Sequence, residues 1–154
     1  SARRDVDAVI VTPHWGDVEY THHPAQKEKN LAREMIEAGA IAVIGAHPHV
    51  VQPWDKITAS DGREGFVIYS LGKFVSGQRQ LPRRSSLVLY LGLTKGADGK
   101  VTVNGVRHLP IEMHNAPWTA RIARGDSAAL TTRILGQWNA LDEDEPLVTN
   151  PECN

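Results

Sequence analysis

The sequence predicts an α/β protein, a parallel βαβ unit followed by antiparallel hairpins and packed in layers. Ile41-Ala42-Val43-Ile44 is a short unbroken apolar run, the pattern of a strand covered on both faces as in a parallel sheet. Val6 to Thr12 is a second run of this kind, apolar and β-branched. Between them, Leu31, Met35 and Ile36, with Ala25, Ala32 and Ala38, form an apolar stripe at the 3.6-residue period of a helix. Two strands joined by a helix run in one direction, so the loops that follow them lie on the same sheet edge.

Each strand of that unit ends in a loop containing proline, histidine and glycine. The first runs from Pro13 through His14, Trp15 and Gly16 to Tyr20, and the second from Gly45 through His47, Pro48 and His49. Ligands of open α/β sheets gather at this carboxyl edge. Pro48 removes a backbone donor and fixes φ, which stiffens the segment carrying the two imidazoles. His14, His47 and His49 are therefore expected to converge. Three neutral imidazoles are a common ligand set for zinc and other borderline transition metals. His22 and His23, tandem in a polar turn, are read as solvent-facing.

The connecting helix is expected over 24–39, with Pro24 in its first turn and Gly39 as its stop. Lys27, Glu28, Lys29, Arg33, Glu34 and Glu37 read as its solvated face. Beyond the histidine loop the pattern changes. Lys56 to Ala59, the turn Ser60-Asp61-Gly62-Arg63, and Gly65 to Leu71 predict a hairpin whose turn residues tolerate positive φ. A bend at Leu71 to Phe74 leads to a second pair, Ser86 to Thr94 and Val101 to Glu112, joined through Ala97 to Lys100. His108 and His114 lie on or just after that pair and are expected away from the site. Asp126 or Ser127 is the expected cap of a last helix, with Leu130, Ile134, Trp138 and Leu141 on one face. Residues 142–154, beginning Asp142-Glu143-Asp144-Glu145, read as a frayed tail.

Bulk properties exclude some classes. At 154 residues the chain suits one domain with a sizeable core. A net charge of −1 and a pI near 6.6 provide no basic field for nucleic acid or an anionic membrane. The lone cysteine, Cys153, rules out an internal disulfide framework. No run is apolar and long enough to span a bilayer, so membrane attachment is expected only through a segment outside this sequence.

The ordered motifs carry a resemblance. Pro13-His14-Trp15-Gly16-Asp17-Val18-Glu19-Tyr20, Pro24-Ala25-Gln26, Val43-Ile44-Gly45-Ala46-His47-Pro48-His49-Val50-Val51-Gln52-Pro53 and Ile68-Tyr69-Ser70-Leu71-Gly72-Lys73-Phe74 follow one another. Together they resemble the C-terminal half of the bacterial capsule-synthesis CapA family, itself similar to calcineurin-like metallophosphoesterases. The resemblance implies a layered α/β sandwich of the metallophosphoesterase type across residues 1–141. It also implies one or two divalent transition metal ions (Zn, Mn or Fe) held by His14, His47 and His49. Glu19 matches the acidic residue after His-Trp-Gly and is expected to orient a ligand or contact substrate. Trp15 is either a pocket wall or a packed aromatic.

The implied function is capsule or poly-γ-glutamate biosynthesis in an extracytoplasmic, envelope-associated setting. The site would hydrolyse a phosphoester or the isopeptide bond of an anionic polymer. Two alternatives stand beside it: a non-catalytic polymer-handling or assembly subunit that keeps the fold, and a mononuclear three-histidine zinc hydrolase. Two departures from the family pattern matter. Lys73 stands where the family has asparagine, and the family's early Gly-Asp and Asn-His motifs do not occur in matching places. The chain is therefore expected to be part of a longer product, its first strand pairing with the N-terminal half or with a second chain.

Overall fold

A computed structural model describes residues 6–115 and 117–136. The elements run β1 (Ile10–Val11), α1 (Gln26–Glu37), β2 (Ala42–Ile44), β3 (Val51–Thr58) and β4 (Glu64–Leu71). They continue with α2 (Leu81–Arg84), β5 (Ser85–Lys95), β6 (Val101–Asn115), β7 (Trp118–Ile122) and α3 (Gly125–Leu135). β1, β2 and β4 are parallel neighbours, and β3 closes the four-stranded sheet antiparallel to β4. β5, β6 and β7 form a separate antiparallel sheet. The architecture is mixed α/β, with parallel and antiparallel pairing in one sheet.

α1 covers one face of the mixed sheet. Ala32 and Ile36 are fully buried there with Val43, Val67 and Tyr69. The opposite face carries Ala42, Val51, Phe66 and Ile68, which pack on Leu87 and Val106 of the second sheet and Leu135 of α3. β2 and β4 are thus covered on both sides, as their unbroken apolar sequences demand. Gly65 fits under α1 because a Cβ there would collide with the Ile36 side chain.

α1 ends where the sequence indicates. Gly39, at φ +109°, donates to Ile36 O, and Ala40 donates to Met35 O. That paired bonding satisfies the last carbonyls and turns the chain into β2. Pro24 lies just before the helix, since Ala25 is the N-cap.

Several expectations are corrected. The first strand shrinks from Val6–Thr12 to Ile10–Val11, at the sheet edge with β2 on one side. Val6 and Ile10 are 51% and 42% exposed there. β3 starts at Val51, five residues earlier than the hairpin pattern suggests. Strand β7 was not foreseen, although Trp118, Ala120 and Ile122 alternate with Thr119 and Arg121. Neither Asp126 nor Ser127 caps α3: Arg124 is the N-cap, with no side-chain cap bond. Asp126 instead places its charge in the first turn, where it complements the helix dipole. Ser127 is buried and shares a 3.2 Å hydroxyl–hydroxyl hydrogen bond with Ser85. Ser127→Ala is expected to cost about 1 kcal/mol by leaving the Ser85 hydroxyl with one partner fewer, readable as a small drop in melting temperature. Trp138, Leu141 and the tail 142–154 lie outside the described residues.

His108 sits on β6 against the edge of Trp54 and near Thr132, away from the histidine loops as expected. Burial lowers its pKa from the ordinary 6.5. The unfolded chain therefore takes up that proton first as pH falls. The stabilising contribution is complete above the unfolded value and is lost as pH drops through the folded one. Melting temperature is expected to fall on acidification below about pH 6.5, and His108→Gln is expected to flatten part of that slope. Equal slopes in the two proteins would show that His108 does not carry the effect.

Candidate metal centre at the strand ends

Backbone pairing continues past the ends of β1 and β2 and fixes the two histidine loops against each other. His14 forms a parallel bridge with Ala46. Ala46 N–H donates to Pro13 O, and Trp15 N–H donates to Ala46 O, both at 3.0 Å. This brings His14 within one residue of His47 across the ladder. His14 Nε2 and His47 Nδ1 share a 3.0 Å hydrogen bond, the donor being set by the tautomer. Their rings are edge-to-face, with centroids 4.9 Å apart.

The loop bearing the second pair of histidines is held in an unusual backbone conformation. His47 has φ +109° and His49 φ +64°, both in a region that side chains with a Cβ rarely enter. Pro48 between them is fully buried. Such conformations persist where surrounding structure enforces them, and they cluster at functional sites. The enforcing contacts come from the first loop. Tyr20 N–H donates to Pro48 O at 2.7 Å, His22 Nδ1 bonds Val51 O at 2.7 Å, and Gln52 Nε2 donates to Thr21 O at 3.0 Å. His22, expected to face solvent, is therefore a half-buried strut; His23 is exposed.

His49 adjoins the pair, its ring centroid 5.5 Å from that of His47. Its Nδ1 lies 3.5 Å from Glu19 Oε1, an ion-pair distance without hydrogen-bond alignment. Desolvation and then the Lys73 charge lower the His49 pKa, with Glu19 opposing them. Both lowering effects favour the neutral imidazole.

Trp15 resolves as both of the roles considered for it. It is 8% exposed, donates Nε1–H to Tyr69 O at 2.9 Å and stacks on that ring. It also lines a cavity of about 300 Å³ with His14, Gly16 and Glu28. Lys27, Lys29, Arg33, Glu34 and Glu37 are exposed, as the solvated-face reading of α1 expects, but Glu28 is a correction to it. It is 5% exposed, and its Oε2 has no hydrogen-bond partner. Gly16 lies against it at φ +100°, a backbone conformation that glycine adopts without strain; a Cβ there would be in ordinary contact with Glu28 Oε1 at 3.4 Å. The sequence signal was present: Glu28 falls four residues before Ala32 and eight before Ile36, on the buried stripe.

The residues fit part of a metal set. The 3.0 Å separation of the two hydrogen-bonded nitrogens is also one that two ligands of a single ion could keep, given metal–nitrogen lengths of about 2.0–2.1 Å, once both lone pairs turn toward it. Among the described residues, no group of three His, Cys, Asp or Glu side chains is gathered closely enough to hold an ion.

The profile of the family "Bacterial capsule synthesis protein PGA_cap" matches residues 1–78, which contain both histidine loops. The chain belongs to this capsule-synthesis family. Among curated CapA relatives, it is 35% identical over 115 residues to the "PGA biosynthesis protein CapA" of Bacillus subtilis (strain 168). That match covers 75% of this chain and 27% of the relative. It is 40% identical over 74 residues to the "Capsule biosynthesis protein CapA" of Bacillus anthracis, covering 48% of this chain and 16% of that protein. The chain thus spans about a quarter or less of the length of these CapA relatives. Among the described residues, no helix is long and apolar enough to cross a membrane.

Proposed function

We propose that this chain carries the histidine loops of a metal-dependent hydrolase site in a CapA-type protein of capsule or poly-γ-glutamate biosynthesis. Its layered sheets would form part of a sandwich of the metallophosphoesterase type. The observation that carries the reading is the facing pair His14 Nε2 and His47 Nδ1, 3.0 Å apart at the ends of adjacent parallel strands.

In this reading His14 and His47 hold one divalent transition metal ion (zinc, manganese or iron), and His49 supplies a third nitrogen for it or for a second. When bound, the metal supplies Lewis-acid polarisation of a phosphoryl or amide oxygen and a water nucleophile near neutral pH. Glu19, 3.5 Å from His49 Nδ1, would orient that imidazole once a small shift aligns a hydrogen bond between them. Trp15 walls the site beside His14. Remaining ligands come from another segment of the full-length protein or from a second chain, which also covers the exposed edge of β1. The setting is the extracytoplasmic cell envelope, and the substrate is an anionic polymer or a phosphoester.

A non-catalytic polymer-handling or assembly subunit remains the second reading, because His14 and His47 alone make half of a dinuclear set. Metal analysis of the full-length protein, run beside phosphoesterase and γ-glutamyl hydrolysis assays, separates the two. Bound metal with turnover supports the hydrolase, whereas bound metal without turnover on either substrate class selects the subunit. Glu19→Gln is expected to lower metal affinity or turnover by about 10–100-fold, the usual cost of removing an orienting partner. An unchanged metal dissociation constant and rate would remove Glu19 from that role.

A further inference from the structure

Next to His49 an open groove of about 630 Å³ runs along Lys73, Phe74, Ser76 and Gln78. Lys73 Nζ lies 5.9 Å from the centroid of the Tyr20 ring. Arg83 stacks on the same ring, its Cζ 3.8 Å from the centroid. Tyr20 in turn leans on His49, with ring centroids 5.8 Å apart. Tyr20 is held there by its bond to Pro48 O and by a backbone at φ +62°. Two cations therefore gather around one aromatic ring that touches a site histidine.

Elsewhere Lys27 pairs with Asp17, and Arg84 with Glu112. Among the described residues, no carboxylate forms an ion pair with Lys73 or Arg83. Gathering like charges without counter-charge costs energy, of which contact with the ring face returns only part. An oxyanion would return the rest. The stack also presents the planar guanidinium in a fixed orientation, so little freedom is lost when it forks onto two oxygens.

We infer that Lys73 and Arg83, organised around Tyr20, form an oxyanion-binding subsite beside His49. It grips a carboxylate or phosphoryl group of the chain whose neighbouring bond reaches the histidines. The subsite deepens the function proposed above and rests on it for the bond acted upon, but not for the anion contact itself.

The test is equilibrium binding by the full-length protein of two probes, a γ-linked glutamate oligomer and inorganic phosphate, with metal content measured in the same samples. Lys73→Ala and Arg83→Ala are each expected to weaken binding of at least one probe by about tenfold, allowing for partial solvent screening, with metal content unchanged. Arg83→Lys is expected to fall between, because it keeps the charge and loses the planar stack. Lys100→Ala, which removes a charge from a distant hairpin turn, should bind as the unaltered protein does. Sensitivity in the oligomer arm names a carboxylate as the natural group, and sensitivity in the phosphate arm names a phosphoryl group. Unchanged affinities of both alanine variants for both probes, or equal losses in Lys100→Ala, would overturn the subsite. A full-length protein that holds no metal yet shows this Lys73- and Arg83-dependent binding would sink the hydrolase reading and leave the subsite standing.

Discussion

Replacing His47 with alanine in the full-length protein is expected to remove most of the bound metal and to lower any metal-dependent turnover by at least about a hundredfold. Loss of a partner that merely orients a ligand already costs 10–100-fold, and loss of a ligand costs more. His47 is the side chain on which the arrangement turns, since its Nδ1 faces His14 and its ring lies beside that of His49. Elemental analysis of the variant and the unaltered protein provides the direct comparison. The fold should survive, because the imidazole lies outside both core clusters. A variant that retains its metal would place the ion elsewhere and end the proposal.

Gly45→Ala is expected to be the most damaging small substitution for stability, at about 3 kcal/mol. A Cβ at this position would overlap the Tyr69 carbonyl oxygen and the Trp15 indole nitrogen. Those two atoms are joined by the 2.9 Å hydrogen bond that holds Trp15 in the core. The backbone at Tyr69 belongs to a central strand and cannot yield, so Trp15 must leave or the loop must lift. For a domain of this size the melting temperature should fall by roughly 10 °C. A fall of less than about 2 °C would mean that the strand ends are far more pliable than their packing implies. Because Trp15 adjoins His14 in sequence and lines the same cavity, the substitution should also weaken metal binding.

The parts of the fold legible in the sequence are those governed by periodicity and turn chemistry. The stripe of Ala32 and Ile36, the stop at Gly39 and the turn around Gly62 each follow from a local rule, and each appears where that rule puts it. The juxtaposition of His14 with His47 was also readable, because parallel strands leave their following loops on one edge. What escaped was non-local. Trp118, Ala120 and Ile122 of β7 alternate as a strand should, yet Trp118 and Ile122 are 63% and 62% exposed, so backbone pairing to β6 holds the strand rather than a buried face. Glu28 was read from its charge, while its burial comes from the face of α1 it shares with Ala32 and Ile36 and from the loop of Gly16 lying against it. The stacking of Arg83 on Tyr20 joins residues 63 positions apart, with no pattern linking them. Histidine is enriched at positive φ among non-glycine residues, but such angles stay uncommon enough that residue type alone does not mark them at His47 and His49.

Those two backbone angles set folding and chemistry against each other. Each non-glycine residue in such a region costs about 1–3 kcal/mol. A sequence chosen for thermal endurance alone would place glycine at 47 and asparagine or glycine at 49. His47 (φ +109°) and His49 (φ +64°) therefore mark a trade-off: an engineered chain with glycine at both positions should be easier to fold and inert.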